Sequence, residues 1–438
     1  MVIGACSPAP PEQSMSVVTA EGHLAPLDSV TMSYDVQGLR VIQRPNYAND
    51  AVAVNLYLLG GTRQLTAATQ GIEALLLHTG EYGTLNYPGG AWRAAWGLTG
   101  SRIVVAPDAD WTIYGFRGVR QEFDSSWAAF ADRLMHPVLG SASIGIVRAR
   151  LIAANRAATE NPDSYVMRFS DSVAFAGHPY GLSPGGTEAT LASLDSANLA
   201  RYLAAQMVKS RMLLVVVGNV SRQQVESAVT RTLATLPAGS YAWTLPAEPP
   251  EFRSTVNFKS RSIPTNYVVG TFRGPPAGSR DAAAFRVALA LLSSGMNQSI
   301  REERGLSYAA SAIDVERGAT SGVLYVSSSA PHLVMPIIWK QVAQMRDFPQ
   351  VPVTMRSFTD QFIMEYFGNN MTNAAQADFI ARAQLYQGDY HKASASMAEL
   401  RNVTASNVHY VARQYLQHMQ FVYLGDTSRV QRSDFATF

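Results

Sequence analysis

The chain has 438 residues, too many for one hydrophobic core, so two or three domains are expected. Apolar residues make up 47% and charged residues 16%, enough for each domain to bury a sizeable core. A formal charge of +2, with no basic run and no tract of aromatic residues and arginine, excludes an evident nucleic-acid partner. Lysine occurs only at Lys209, Lys259, Lys340 and Lys392, so most positive charge is arginine, which reads as compositional bias rather than a site.

Residues 1–30 read as a tail. Cys6 is the only cysteine, which excludes an intramolecular disulfide and a cysteine metal cluster. Ile3-Gly4-Ala5-Cys6 resembles a bacterial lipobox, and Ser7 to Ser14 reads as a flexible tether. The expectation is a lipid-anchored protein on the periplasmic side of a bacterial envelope, although no basic n-region and no full apolar h-region precede Cys6. No run elsewhere has the roughly 18 apolar residues that a spanning helix needs.

A first domain is expected over 31–236. A strand follows the turn before Val41, and Ala51 to Leu59 is a second, β-rich run. Ile72 to His78 is helical. Ile103 to Phe116 has hairpin-like spacing. Asp195 and Thr404 are N-cap candidates for two amphipathic helices, each followed by a buried strand, Met212 to Ser221 and Met419 to Ser428. This recurrence argues for a duplicated domain rather than a short-period solenoid. The proline-rich segment between, 237–254, reads as a linker. The second domain, 255–438, opens with a strand at Asn266 to Phe272 and a helix from Ala282 to Ser293. The pattern predicts an α+β fold with antiparallel-rich sheets.

Together these landmarks resemble the pitrilysin/insulinase family of inverted zinc peptidases, from about Tyr34 to Asp426. Gly60-Gly61-Thr-Arg63, Gly71, Gly83-Thr84, His178-Pro-Tyr-Gly181 and Gly186-Thr-Glu188 occur in family order. Ile300-Arg-Glu-Glu-Arg-Gly-Leu-Ser-Tyr308 is the most specific match. The family's zinc helix carries an inverted H-x-x-E-H motif, whose histidines share one face and whose glutamate polarises the metal-bound water. Here those positions read Ala74, Leu77 and His78. The third-ligand position, reached by the family's spacing, is Ala154, with Glu160-Asn-Pro162 supporting the register. Glu73 lies on another helix face and Glu160 is out of register, so neither substitutes. One histidine cannot hold a catalytic zinc. The resemblance therefore implies a zinc-site-degenerate member without intrinsic peptidase activity. His78 is expected to be a packed or hydrogen-bonded core residue.

The family's Arg/Tyr pair, which contacts substrate carbonyls and the oxyanion, corresponds here to Arg301 and Tyr308. The resemblance implies a non-catalytic subunit of a heterodimeric metallopeptidase. Zinc would sit in an active homologous partner, and the two chains would enclose unfolded peptide, held by strand addition near Gly100 to Val105. The alternative is a non-enzymatic peptide-binding or scaffold protein of the envelope. A bland reading of the pair puts Arg301 in an ion pair with Glu302 or Glu303 and Tyr308 in a strand core.

Overall fold

The computed structural model describes residues 30–249, 251–350, 352–369 and 371–436. Cys6 and its tether lie outside these residues. Two sheets organise the chain. The first contains β1 (Met32–Val36), β2 (Leu39–Pro45), β3 (Ala51–Leu59), β4 (Arg102–Pro107), β5 (Trp111–Val119) and β6 (Met212–Gly218), in the order β1-β2-β6-β3-β5-β4. The second contains β7 (Thr255–Ser260), β8 (Asn266–Arg273), β9 (Ala309–Val315), β10 (Ser321–Ser328) and β11 (Gln420–Gly425), in the order β7-β11-β8-β10-β9. Only β2 with β6 and β7 with β11 run parallel; the other pairs are antiparallel.

Helices of the first half are α1 (Ile72–Thr79), α2 (Ala91–Leu98), α3 (Phe123–Met135), α4 (Ser141–Glu160), α5 (Pro162–Ala174), α6 (Glu188–Ser193), α7 (Ser196–Gln206) and α8 (Arg222–Thr230). Those of the second are α9 (Ala282–Met296), α10 (Pro331–Asp347), α11 (Pro352–Asn369), α12 (Asn373–Gln387), α13 (Lys392–Arg401) and α14 (Ala405–Tyr415). The two sheets repeat one plan. β6 and β11, the recurring strands of the sequence, each lie between a parallel and an antiparallel neighbour. Asp195 and Thr404 close capping boxes on α7 and α14. Gly218 and Gly425 end the two strands at φ 143° and 149°, where a Cβ would run into the neighbouring strand's Ala51 carbonyl or the Asn266 side chain.

Strand alternation explains the packing. Val52, Val54, Leu56, Leu214 and Val216 face the helices of their own half. The intervening Tyr57, Leu59, Leu213, Val215 and Val217 face the opposite way, against Ile380, Leu385 and Tyr386 of α12 from the second half. The exchange is reciprocal. Asn161 caps α5 and Pro162 fixes its first turn. α5 then lays Val166, with Phe169 and Val173, on Val269, Val323, Val422 and Leu424 of the second sheet. Both faces of the inner strands are therefore covered, which is why β6 reads as an unbroken apolar run.

The proline-rich connection carries no helix or strand over 237–249. It nonetheless packs rather than spanning open solvent: the Trp243 indole donates to the Leu385 carbonyl at 2.7 Å and lies 6.0 Å from the Trp111 ring.

A buried carboxylate ties the halves. Asp110, 3% exposed, accepts from the Tyr180 hydroxyl at 2.6 Å, the Tyr386 hydroxyl at 2.9 Å and the Gly318 amide at 2.7 Å. Asp110→Ala strands these buried donors, and we expect a loss of about 2–4 kcal/mol in denaturant unfolding. A change below about 0.5 kcal/mol would remove Asp110 from this structural role.

Candidate functional site

Helix α1 packs on α4, α7 and β4. Ala74 and Leu77 are buried at 1% and 3% exposure, and Leu77 joins the first core. Glu73 is buried on another face, where Arg211 lies 2.6 Å from its carboxylate and the Tyr202 hydroxyl donates to it at 2.9 Å. Arg211 also donates to the Leu59 carbonyl at 2.6 Å, so Glu73 anchors the helix to the sheet.

His78 differs from the expectation of a packed or hydrogen-bonded residue. It lines a cavity of about 540 Å³, and its ring makes no hydrogen bond among the described residues. Ala74 and Leu77, both buried, are not among the residues that line it. The α4 residue on the wall is Arg150, not Ala154, which is exposed one turn farther along.

The remaining polar wall is basic. Arg133, from α3, is 2% exposed and donates through Nε and Nη2 to the Leu77 carbonyl at 3.1 and 2.9 Å. That carbonyl belongs to the last turn of α1 and has no intrahelical partner, so the guanidinium caps the negative end of the helix. The Arg133 guanidinium also stacks 4.7 Å over the Trp92 ring, and its Nη1 has no hydrogen-bond partner. Arg102 and Arg117 face each other across β4 and β5. Arg117 donates to the Val54 and Phe116 carbonyls at 3.1 and 3.0 Å. Arg102 is exposed and has no ion pair among the described residues. Glu81 is the one carboxylate on the wall, and Arg150 holds it at 3.3 Å.

These charges set the state of His78. Burial first, then Arg133 and Arg150, push its pKa from 6.5 down to about 4, against the opposing pull of Glu81. The residues present do not fit a zinc ion. A catalytic zinc takes three protein ligands, and a dication here would sit among four guanidiniums beside a single imidazole. No group of three His, Cys, Asp or Glu side chains is placed to hold a metal among the described residues. Sequence reading missed the arginines because they come from four separate elements without a spacing motif. The arginine excess was the only signal, and it read as compositional bias.

Arg301 and Tyr308 lie elsewhere. Arg301 lies in the last turn of a wide π-type segment, Asn297–Glu302, that extends α9. Tyr308 immediately precedes β9, the edge strand of the second sheet. Tyr308 is 93% exposed, so it is not a strand-core aromatic. Arg301 is exposed and pairs with neither neighbouring glutamate; Glu303 is held instead by Arg304 at 2.7 Å. The structure does not bring the pair to His78: every residue of the His78 cavity comes from the first half, within 78–150. The two stations are equivalent by topology. Each lies at the C-terminal end of the first α-helix after an inner strand, α1 after β3 and α9 after β8.

Residues 193–349 match the family model of the peptidase M16 inactive domain. An uncharacterized zinc protease of Rickettsia felis is 22% identical over 298 residues, covering 67% of this chain and 71% of that protein. A mitochondrial-processing peptidase subunit beta of Blastocladiella emersonii is 22% identical over 257 residues, covering 59% of this chain and 55% of the relative. The crystal structure of a peptidase M16 inactive domain from Pseudomonas fluorescens superposes with a TM-score of 0.82 at 16% identity, covering 91% of this chain and 98% of that one. The resemblance to inverted zinc peptidases and the α+β fold are both borne out.

The depressed pKa of His78 has a defined sign. Its neutral form contributes fully to stability above the unfolded value of 6.5, and the contribution is lost as pH falls through about 4. Between pH 7.5 and 4.5 the loss assigned to His78 is about 2–3 kcal/mol. His78→Gln should flatten the stability–pH curve by that amount in denaturant unfolding. Equal slopes for both proteins would disprove the assigned environment. Elemental analysis of the purified protein should find far less than one zinc per chain; stoichiometric zinc that disappears in His78→Ala would overturn the reading of this site.

Proposed function

We propose that this relative of the pitrilysin/insulinase peptidases is the non-catalytic subunit of a heterodimeric zinc metallopeptidase. It supplies Arg301 and Tyr308 and half of a chamber that encloses unfolded peptide, while zinc and the general base reside in an active homologous chain. The observation that carries the reading is the state of the pair. A tyrosine at 93% exposure just before the edge strand β9 and an exposed arginine in the turn that extends α9 have no acidic partner among the described residues, while Ala74 and Leu77 stand where the resemblance puts a zinc ligand and the general base.

A guanidinium and a phenol aimed at a developing oxyanion stabilise it most when a second chain closes over them and excludes water. The Arg301–Tyr308 station and the His78 cavity have no wall in common, so a partner's zinc site is what would meet the pair. A zinc-protease relative and a processing-peptidase subunit among the similar proteins support this reading. We further place the assembly on the periplasmic side, tethered through Cys6; cell fractionation of the full reading frame with and without Cys6→Ser tests this, and a cytoplasmic protein indifferent to the change refutes it.

Mixed with an active homologue from the same organism, the chain should raise peptide cleavage well above that of the homologue alone. Arg301→Ala or Tyr308→Phe should remove most of the gain, on the order of 10²-fold, chiefly in kcat. If both variants support cleavage as well as the parent does, the envelope scaffold reading replaces this one.

A further inference from the structure

We propose that the cavity beside His78 is a carboxylate-binding pocket, which takes the acidic group of an extended peptide paired along the outer edge of β4. The proposal takes from the proposed function only that the ligand is an extended peptide.

The pocket is built for negative charge. Four guanidiniums, of Arg102, Arg117, Arg133 and Arg150, line it against the single carboxylate of Glu81, which Arg150 already holds. His78 is uncharged at neutral pH and neither adds to this field nor offsets it. Arg102 and Arg117 are directly opposed across a strand pair, an arrangement that costs stability unless an anion screens it. Arg133 is 2% exposed and keeps one nitrogen, Nη1, without a partner although its other two donate to Leu77. Arg133 thus contributes charge from behind the wall, and the exposed Arg102, with no ion pair among the described residues, offers a carboxylate two parallel N–H bonds.

The neighbouring strand points to a peptide. β4 is the edge of its sheet and pairs only with β5, so its outer N–H and C=O groups have no strand partner among the described residues. Arg102 and Pro107 bound the strand, and Ile103, Val104 and Val105 between them form part of the pocket wall. A peptide added along this edge projects alternate side chains to the same face, so one residue of a fixed register meets the arginines. The acidic group is either a side chain or the C-terminal carboxylate.

The test uses the full chain alone, so its failure is separable from that of the two-chain peptidase. Three fluorescein-labelled, unstructured decapeptides are titrated by fluorescence polarisation: one with a central glutamate and an amidated C-terminus, its glutamine counterpart, and that counterpart with a free C-terminus. We expect one carboxylate-bearing peptide to bind at least ~10-fold tighter than the uncharged peptide, with the advantage shrinking as salt is raised. A preference for the first identifies a side-chain carboxylate; a preference for the third identifies a C-terminal one. Arg102→Gln and Arg150→Gln, both at exposed positions, should each cut the preference several-fold without lowering the melting temperature by more than a degree or two, which is about what an exposed ion pair contributes. Equal affinity for all three peptides, no binding at all, or a preference that survives both substitutions overturns the proposal.

Discussion

Each sheet of this chain has two apolar faces and helices of its own half for only one of them. The other face is covered by a helix from the opposite half, α12 on the first sheet and α5 on the second. Burying a side chain such as Ile380 or Val166 contributes roughly 1.5–3 kcal/mol each, so neither sheet is stable with that face in water. The Asp110 carboxylate fixes the register of the exchange, because its partners come from the loop after α5, from α12 and from the turn before β10. With the two halves locked in this way, nine residues from α1, the turn after it, β4, β5, α3 and α4 meet in one cavity.

The cavity shows how a site changes character without a change of fold. Ala74 and Leu77 are buried, and Leu77 carries the apolar core up to the face of α1. Arginines on α3, α4, β4 and β5 line the cavity beside that face, and their field disfavours a metal cation there. Arg133 links the two, since it caps the last turn of α1 and lines the basic wall at once. A neutral imidazole can ligate a metal, but a single one among four guanidiniums does not hold zinc.

Much of this was legible in the sequence, for definite reasons. The strands β6 and β11 were visible because double burial leaves an unbroken apolar run. The helices before them were visible because Asp195 and Thr404 carry capping oxygens. The edge position of β4 followed from hairpin spacing and the family resemblance. The cross-covering of the sheets was not legible, because an amphipathic helix declares an apolar face but not the sheet that receives it. His78 was misread as core because its neighbours along α1 are apolar, whereas its surroundings are set by α3 and α4. Ala154 was reached by counting, and counting fixes a position along a helix without fixing what it meets. The connection around Trp243 looked like a free linker because proline removes periodicity, yet an indole with a buried acceptor needs none.

The exchanged helices also dictate the order in which the newly made chain can finish. When the first half leaves the ribosome, Tyr57, Leu59, Leu213, Val215 and Val217 form a finished sheet face with nothing to lie on it. Its cover, α12, is not translated until residue 387. The second sheet meets the opposite situation, since α5 is waiting before its first strand is made. The first half therefore passes through synthesis with a sticky flank. A pause, a truncation or a premature stop anywhere between β6 and α12 exposes that flank to chaperones, to proteases or to another nascent copy of the same chain.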